Sequence, residues 1–245
     1  MNVVNIKDIV VGDIIGKGAS GIVRKCIFDG NQYCIKIINK TYPKSVVDHI
    51  KNMTGQNFSK EYFVPLYVVE SSSGDFLHYL MNLDETLKES FKLKELRDKL
   101  IFLKNAREII GKLHKEHKMV HGDLVSENMM YSVLLNASLL DFDSSLEFGK
   151  TYEDKQSVRL FVQDYLKYYP VDKNMDIYTF NVSTLKMIGN SPNINMLLKD
   201  IDEDEFFMFQ ENKNIKRLTK ELLLRDTRKE YSGEYIIDHI MNEFK

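Results

Sequence analysis

Short runs rich in β-branched and aromatic residues fill the first third of the chain, a pattern that is typical of β-strands. The turn signal Asp29-Gly30-Asn31 separates two of these runs. The runs cover residues 14–15, 22–23, 26–28, 33–38, 64–70 and 76–80. Between them, residues 43–53 place Val46, Val47 and Ile50 on one face of a short helix. We therefore predict a five-stranded antiparallel sheet accompanied by one helix.

After Asp84 the apolar residues follow a helical period. The longest stretch predicts a helix that ends near His117, with an apolar face formed by Leu100, Leu103, Ile109, Ile110 and Leu113. Strand-like pieces at 129–133 and 138–141 interrupt this pattern, which resumes at 177–188, 215–224 and 234–244. The chain is thus predicted to be α+β, with a small β-lobe at 1–83 followed by a larger helical lobe at 84–245.

Composition excludes several classes of protein. The 245 residues include 34 basic and 36 acidic ones, so no global basic field exists to attract nucleic acid or an anionic membrane. The chain has no apolar run of the roughly 20 residues that a membrane helix needs. Cys26 and Cys34 are too few for a disulfide framework. We expect a soluble cytoplasmic protein that binds neither nucleic acid nor membranes.

A glycine-rich segment lies between two of the predicted strands. Gly16-Lys17-Gly18-Ala19-Ser20-Gly21-Ile22-Val23 has the pattern G-x-G-x-x-G-x-V. Glycines let a backbone approach phosphate oxygens closely, although a plain glycine-containing hairpin explains the segment equally well. Farther along, the run Cys34-Ile35-Lys36-Ile37-Ile38 holds a lysine inside an apolar strand, with Cys34 and Lys36 on one face. Most lysines in such positions face solvent.

Two later motifs decide between these alternatives. They are His121-Gly122-Asp123-Leu124-Val125-Ser126-Glu127-Asn128 and Leu139-Leu140-Asp141-Phe142-Asp143. The first resembles the H-x-D-x-x-x-x-N catalytic loop of eukaryotic-type protein kinases, and the second resembles their D-F-G motif at the family's usual separation. The glycine loop and Lys36 precede them in the family's order. The resemblance implies a bilobal kinase-like fold with a small antiparallel β-sheet lobe and a larger helical lobe, forming a single kinase domain.

The resemblance also implies a role for each matching residue. Asp123 would accept the proton of a substrate hydroxyl, while Lys36 would contact the α- and β-phosphates of ATP. Asn128 and Asp141 would hold Mg²⁺ through hard oxygen ligands. The remaining nucleotide contacts would come from the glycine loop, the strand of Lys36, a gatekeeper at Leu80 and a hinge at 81–83. These residues are Ile15, Gly16, Lys17, Gly18, Ala19, Ser20, Gly21, Ile22, Val23, Cys34, Leu80, Met81 and Leu83.

Further segments extend the resemblance. His121 and Phe142 would be internal packing elements. Residues 176–182 resemble the start of the central helix of the kinase C-lobe, whose aspartate, here Asp176, supports the catalytic loop. Residues 222–239 look like the terminal subdomain. These matches favour the protein-kinase branch over small-molecule kinases.

The chain also departs from the family pattern. Gly122 replaces an arginine that in many members receives a phosphate of the activation segment, so we expect activity without that phosphorylation. Val125 and Asp143 replace a lysine and a glycine, and Tyr169-Pro170-Val171 stands where the family has A-P-E. The helix glutamate that pairs with the lysine is also missing. Its position falls near Lys51, and Asp48 is the expected substitute.

Three functions fit these observations. The first is a serine/threonine protein kinase that uses ATP and Mg²⁺ to phosphorylate a hydroxyl of a protein substrate. The second is an atypical or small-molecule phosphotransferase on the same fold, favoured by the H-G-D sequence and by the missing A-P-E. The third is a nucleotide-binding pseudokinase, which has no chemical need for all of Lys36, Asp123, Asn128 and Asp141.

Overall fold

The protein is described by a computed structural model that covers residues 2–18, 21–38, 44–70, 76–151, 166, 170–189 and 234–243. The chain divides into two compact units. Unit 1 consists of Met1–Thr86 and Leu140–Ser144, and unit 2 consists of Leu87–Leu139 and Ser145–Lys245. A sheet dominates unit 1 and helices dominate the described part of unit 2, so the predicted α+β composition is confirmed.

A six-stranded sheet forms the framework of unit 1, in the order β1-β5-β6-β4-β3-β2. Its strands are β1 (Val3–Asn5), β2 (Val10–Gly18), β3 (Gly21–Phe28), β4 (Asn31–Ile38), β5 (Tyr67–Glu70) and β6 (Phe76–Met81). The prediction of five antiparallel strands was wrong at one edge. There β1 runs parallel to β5, and Val3 lies opposite Val68. A parallel partner so far along the chain leaves no local signal in a three-residue run.

One face of this sheet carries a hydrophobic cluster, and helix α1 (Lys44–Met53) accompanies the sheet. Val4, Ile9, Cys26, Ile35, Val69 and Leu80 form the buried part of the cluster. In α1, Ile50 and Met53 are fully buried, while Asp48 is exposed. The amphipathic pattern therefore predicted both the existence of α1 and its buried side.

Unit 2 is built around two long helices. α2 (Leu96–Lys112) continues into a π-helical turn, Leu113–His117, and α3 (Lys173–Gly189) follows later in the chain. The other described elements are β7 (Lys88–Glu89), β8 (Met119–Val120), β9 (Met129–Tyr131), β10 (Ala137–Leu139), β11 (Leu146–Glu147) and α4 (Ile236–Glu243). The predicted helix that ends near His117 is confirmed. The predicted helix at 215–224 lies outside the described residues.

Polar side chains on α3 are buried and hold neighbouring segments in place. The Asn181 side chain donates to the carbonyl of Glu234 and accepts from the amide of Ile236, both at 2.9 Å, which fixes the start of α4. The Ser183 hydroxyl donates to the carbonyl of Leu124 at 2.6 Å. Hydrogen bonds from two buried polar side chains of this helix thus position the start of α4 and the loop that precedes β9. Across the described ranges, no helix combines the length and apolar character needed to cross a membrane.

Candidate functional site

The glycine-rich segment of unit 1 forms a β-hairpin. β2 ends at Gly18 and β3 begins at Gly21, with the cross-strand pairs Gly16↔Val23, Lys17↔Ile22 and Gly18↔Gly21. Ile15 lies on β2 with an exposed side chain. Ala19 and Ser20 lie outside the described residues. A strand therefore follows the glycines, where a dinucleotide-binding fold would place a helix.

The three glycines of this hairpin have different surroundings. A Cβ at Gly21 would overlap the carbonyl oxygen of Ile37 on β4, so the close approach of these strands requires glycine there. A Cβ at Gly18 would meet no atom within 4 Å, and one at Gly16 would make only ordinary contacts with Val23. Packing within the protein therefore explains Gly21 and leaves Gly16 and Gly18 without a structural reason.

The face of β4 that carries Lys36 also carries Cys34, and both residues are buried. Across the strand pair, Lys36 lies opposite Tyr79 and Cys34 lies opposite Met81 of β6. The Cys34 thiol donates to the carbonyl of Asn82 at 3.0 Å. Burial raises the pKa of this thiol to about 12, so it remains a protonated donor at neutral pH. The predicted common face of Cys34 and Lys36 is confirmed.

Leu80 does not share that face. It lies opposite Ile35 and is fully buried in the hydrophobic cluster on the other side of the sheet. Successive side chains of a strand point to opposite faces, so Met81, and not Leu80, stands beside Cys34. Met81 is buried and Leu83 is half-buried. Leu80, predicted as the gatekeeper, therefore does not lie on the face that carries Cys34 and Lys36.

Two carboxylates hold the ammonium of Lys36. Its Nζ atom lies 2.7 Å from Oδ1 of Asp141 and 2.6 Å from Oδ2 of Asp143. Lys36 is only 4% exposed, which is rare for a lysine unless its charge is paired. Burial alone would lower the pKa of Lys36, but the charges of Asp143 and Asp141 and their hydrogen bonds outweigh it and leave the pKa raised. The ammonium is thus permanently charged at neutral pH.

The expected pairing of Lys36 with Asp48 does not occur. Asp48 is exposed on α1, and among the described residues the ionic partners of Lys36 are Asp141 and Asp143. Lys51, which stands near the family's glutamate position, instead lies 3.4 Å from Glu70 on β5. The carboxylates that pair with Lys36 thus come from the segment around Phe142, which sequence reasoning had not considered for this purpose.

The backbone around Asp141 has an uncommon geometry. Asp141 has a φ of 62°, in the left-handed region that non-glycine residues rarely adopt. The next residue, Phe142, is buried and packs against the rings of Phe58 and Tyr62, with centroids at 6.4 Å and 6.2 Å. Its predicted role as a packing element is consistent with this cluster. The packed ring and the ion pair of Asp141 with Lys36 together maintain the strained conformation.

In unit 2, a fully buried carboxylate supports the loop that follows β8. Oδ2 of Asp176 on α3 accepts from the His121 amide at 2.7 Å, and Oδ1 accepts from the Gly122 amide at 2.9 Å. Nε2 of His114 lies 2.9 Å from Oδ2. Gly122 has a φ of 83°, a conformation that favours glycine. The predicted support of this loop by Asp176 is confirmed, and His121 is buried as expected.

The same loop brings Asp123 and Asn128 together. Nδ2 of Asn128 donates to the backbone carbonyl and to Oδ2 of Asp123, both at 2.9 Å. These bonds fix the orientation of the Asp123 carboxylate. They also leave Oδ1 of Asn128, the acceptor of the amide, without a hydrogen bond from the described residues. The loop therefore presents one carboxylate and one amide oxygen in a defined arrangement.

The oxygen atoms of the predicted magnesium ligands suit that ion. Mg²⁺ prefers oxygen ligands and is usually held by one or two carboxylates together with substrate phosphates and water. Asp141 offers a carboxylate that is 37% exposed, and Asn128 offers an amide oxygen. The described ranges contain no cluster of three or more metal-ligating side chains. A site that relies on phosphate oxygens does not need such a cluster.

Sequence reasoning missed two residues beside Lys36. Asp143 had been noted only as a replacement for glycine, and Tyr79 had not been noted at all, although its hydroxyl donates to Asp143 at 2.5 Å. The acidic residue at 143, two positions after Asp141, was the available signal. The predictions for Tyr169 and for the terminal subdomain up to residue 233 lie outside the described residues.

Comparisons with known proteins give one informative match. No protein-family model matches the chain. The chain is similar to a probable serine/threonine-protein kinase, mkcF, of Dictyostelium discoideum, with 25% identity over 194 residues, which cover 73% of this chain and 27% of that protein. The chain thus spans well under half the length of this curated relative. The similarity supports a kinase-like relationship, in agreement with the motifs at Lys36, Asp123 and Asp141.

Proposed function

We propose that this protein is an ATP- and Mg²⁺-dependent phosphotransferase on a bilobal kinase-like fold, with a serine or threonine hydroxyl of a protein as the acceptor. The observation that carries the proposal is the buried ammonium of Lys36, 4% exposed and paired with Asp141. A buried ammonium is costly unless its charge is paired, and the ion pairs with Asp141 and Asp143 keep Lys36 charged on the strand that follows the glycine hairpin. The kinase-like relationship to mkcF supports phosphoryl transfer in general.

In this proposal Asp123 is the catalytic base. Its carboxylate accepts the proton of the acceptor hydroxyl while the oxygen attacks the γ-phosphorus, and the bond to the β–γ bridging oxygen breaks to release ADP. The hydrogen bond from Asn128, 2.9 Å long, keeps the carboxylate in one orientation. Most of the catalytic effect comes from such positioning, because phosphoryl transfer demands little covalent work from the protein.

Lys36, Asn128 and Asp141 serve the nucleotide and its metal. Lys36 has three N–H donors and uses two of them for Asp141 and Asp143, which leaves the third for a phosphate oxygen. Asn128 and Asp141 supply oxygen ligands to Mg²⁺. When bound, the ion neutralises charge on the phosphate oxygens.

The glycine hairpin and one face of the sheet complete the nucleotide site. A Cβ at Gly16 would make only ordinary contacts with Val23 and one at Gly18 would meet no described atom within 4 Å, so the backbone of the hairpin leaves room for a phosphate chain. Cys34 and Met81 share a buried face with Lys36, so they take the adenine side of the nucleotide. Leu80, which faces the other side of the sheet, is left out of this assignment.

A second candidate is transfer to a small molecule. Gly122 carries no side chain where many protein kinases have an arginine, and its φ of 83° disfavours any larger residue. Val125 is buried and supplies no cation to a protein substrate. These two positions favour an acceptor that needs less of a docking platform than a protein does.

The test uses γ-labelled ATP and Mg²⁺ with the purified chain, generic protein substrates and a pool of small hydroxyl metabolites. Asp123→Asn keeps an acceptor for Asn128 but removes the base, and it is expected to lower the rate by about 10²-fold to 10⁴-fold. Asp98→Asn, at the start of α2, is the matched control and is expected to transfer at the wild-type rate.

Each outcome has a defined meaning. Label on protein that disappears in Asp123→Asn supports the proposal, whereas label only on metabolites supports the second candidate. ATP binding without any transfer by the wild-type chain contradicts both. An unchanged rate in Asp123→Asn removes Asp123 as the base.

A further inference from the structure

Position 143 carries an aspartate where the resemblance to kinases predicts glycine. We infer that Asp143 is the positioning residue for Lys36. It forms the ion pair with Lys36 that the resemblance assigns to an acidic residue of α1. The inference rests on the proposed function for its effect on ATP. Its structural part, the dependence of the Lys36 ammonium on Asp143, can be tested without any phosphoryl transfer.

The two carboxylates around Lys36 differ in their surroundings. Asp143 lies 2.6 Å from Nζ and its side chain is 9% exposed, whereas Asp141 lies 2.7 Å away and is 37% exposed. Attraction between charges grows as water is excluded, so the buried Asp143 has the stronger hold on the ammonium. Asp141 is the partner that solvent reaches.

Tyr79 holds Asp143 in turn. The Tyr79 hydroxyl donates to Oδ1 of Asp143 at 2.5 Å, while Oδ2 accepts from Lys36. Lys36 and Tyr79 are directly opposite each other on β4 and β6, and Nζ lies 5.9 Å from the centre of the tyrosine ring. The carboxylate of Asp143 is therefore attached to two adjacent strands at neighbouring points, which fixes its position relative to the sheet.

Helix α1 contributes no carboxylate to this arrangement. The sequence of α1 contains one acidic residue, Asp48, and that residue is exposed. In consequence, the residue that fixes Lys36 and the residue proposed to bind Mg²⁺ lie on one short segment, two positions apart. The ion pairs of Lys36 are thus formed without a carboxylate from α1.

The first measurement is the reactivity of the Lys36 amine toward a limiting amount of an acylating ester, followed by peptide mass spectrometry. An amine that two carboxylates hold in ion pairs is shielded from the ester, and removal of one carboxylate releases it for reaction. Asp143→Asn is expected to raise Lys36 labelling at least threefold. Asp48→Asn and Asp8→Asn, which change exposed carboxylates, are expected to leave it at the wild-type rate.

The second measurement compares the binding of ATP and of adenosine. A positioning role for Asp143 affects only contacts with phosphate, so Asp143→Asn is expected to weaken ATP binding about tenfold and to leave adenosine binding unchanged. General damage to the fold would weaken both. Tyr79→Phe, which removes one hydroxyl, is expected to weaken ATP binding in the same selective way by a smaller factor, and it decides the question if Asp143→Asn does not fold.

Unchanged Lys36 labelling in Asp143→Asn overturns the inference, and so does an equal increase in Asp48→Asn. Equal loss of ATP and adenosine binding also overturns it. If the wild-type chain binds no ATP, the proposed function fails, yet the labelling experiment still reports on Asp143. The two failures are therefore distinguishable.

Discussion

The surroundings of Lys36 in unit 1 and of Asp176 in unit 2 present two ways to hold a candidate site. Around Lys36, two carboxylates meet one buried cation, and the geometry depends on charge. Around Asp176, one buried carboxylate meets the backbone amides of His121 and Gly122, and the geometry depends on hydrogen-bond donors that cannot lose their protons. Both arrangements are buried, but only the first depends on a lysine ammonium.

This difference suits the group that is held in each place, a loop backbone at Asp176 and a side-chain cation at Lys36. The amides at Asp176 fix the backbone of a loop, which has to stay the same in every state of the protein. In the proposed function the ammonium of Lys36 also contacts a phosphate, and an ion pair with a partly exposed Asp141 permits that contact. Substitutions can break each arrangement separately.

The largest effect is expected from Asp176→Ala. The change removes the acceptor of two buried amides and a neighbour of His114, and it should lower the free energy of unfolding by about 3–5 kcal/mol. Urea denaturation at neutral pH measures it. Asp98→Ala in the first turn of α2 is the control, with an expected loss of about 0.3–1 kcal/mol from the helix dipole. Equal losses in the two variants would show that Asp176 does not support the loop.

A smaller effect, with a different pH dependence, is expected from Lys36→Met. The substitution leaves Asp141 and Asp143 without a cation and should cost about 2–4 kcal/mol at neutral pH. The pKa of Lys36 is raised in the folded protein, so its contribution is fully present below the ordinary value of 10.5 and is lost as the pH rises through the folded value.

The gap in the free energy of unfolding between wild type and Lys36→Met should therefore stay constant from pH 8 to pH 10 and narrow above about pH 10.5. The gap for Asp176→Ala should not narrow there, because backbone amides keep their protons. Urea titrations at three alkaline pH values measure both gaps, with Lys7→Met as a control at an exposed lysine. A gap for Lys36→Met that widens with pH would contradict the assignment of its stabilising ion pairs.

The surroundings of Lys36 and of Asp176 also differ in how well the sequence predicted them. The support of the loop by Asp176 follows from motifs that the family resemblance supplies, and it was predicted correctly. The partner of Lys36 was sought on α1, because the family places it there, whereas Asp143 lies 107 positions away and is marked only by a departure from the pattern. A contact across that distance depends on the folded sheet and has no local signal.

Strand register limited the prediction in a similar way. Alternation within β4 correctly placed Cys34 and Lys36 on one face. The face of Leu80 on β6 depends on which residue pairs with Ile35, and hydrogen bonds between strands, not local composition, set that register. The misplaced face of Leu80 and the missed strand β1 therefore have the same origin.

The smallest changes in stability are expected from substitutions of the hairpin glycines. These substitutions test packing in unit 1 and leave its charges unchanged. Gly21→Ala forces a methyl group onto the Ile37 carbonyl and should cost about 1–3 kcal/mol. Gly18→Ala meets open space and should change stability by less than about 0.5 kcal/mol. Gly111→Ala, inside α2 and also in open space, is the control and should stabilise the protein by about 0.5–1 kcal/mol.

Gly18→Ala tests more than stability. Because no atom of the described residues lies within 4 Å of a Cβ placed at Gly18, a methyl group there should matter only to a ligand, and the proposed phosphate contact predicts weaker ATP binding with an unchanged unfolding curve. Calorimetric titration with ATP and with adenosine measures the difference. If Gly18→Ala binds ATP as well as wild type does, the phosphates do not approach this glycine, and the site has to be built from Lys36 and Asp141 without the hairpin.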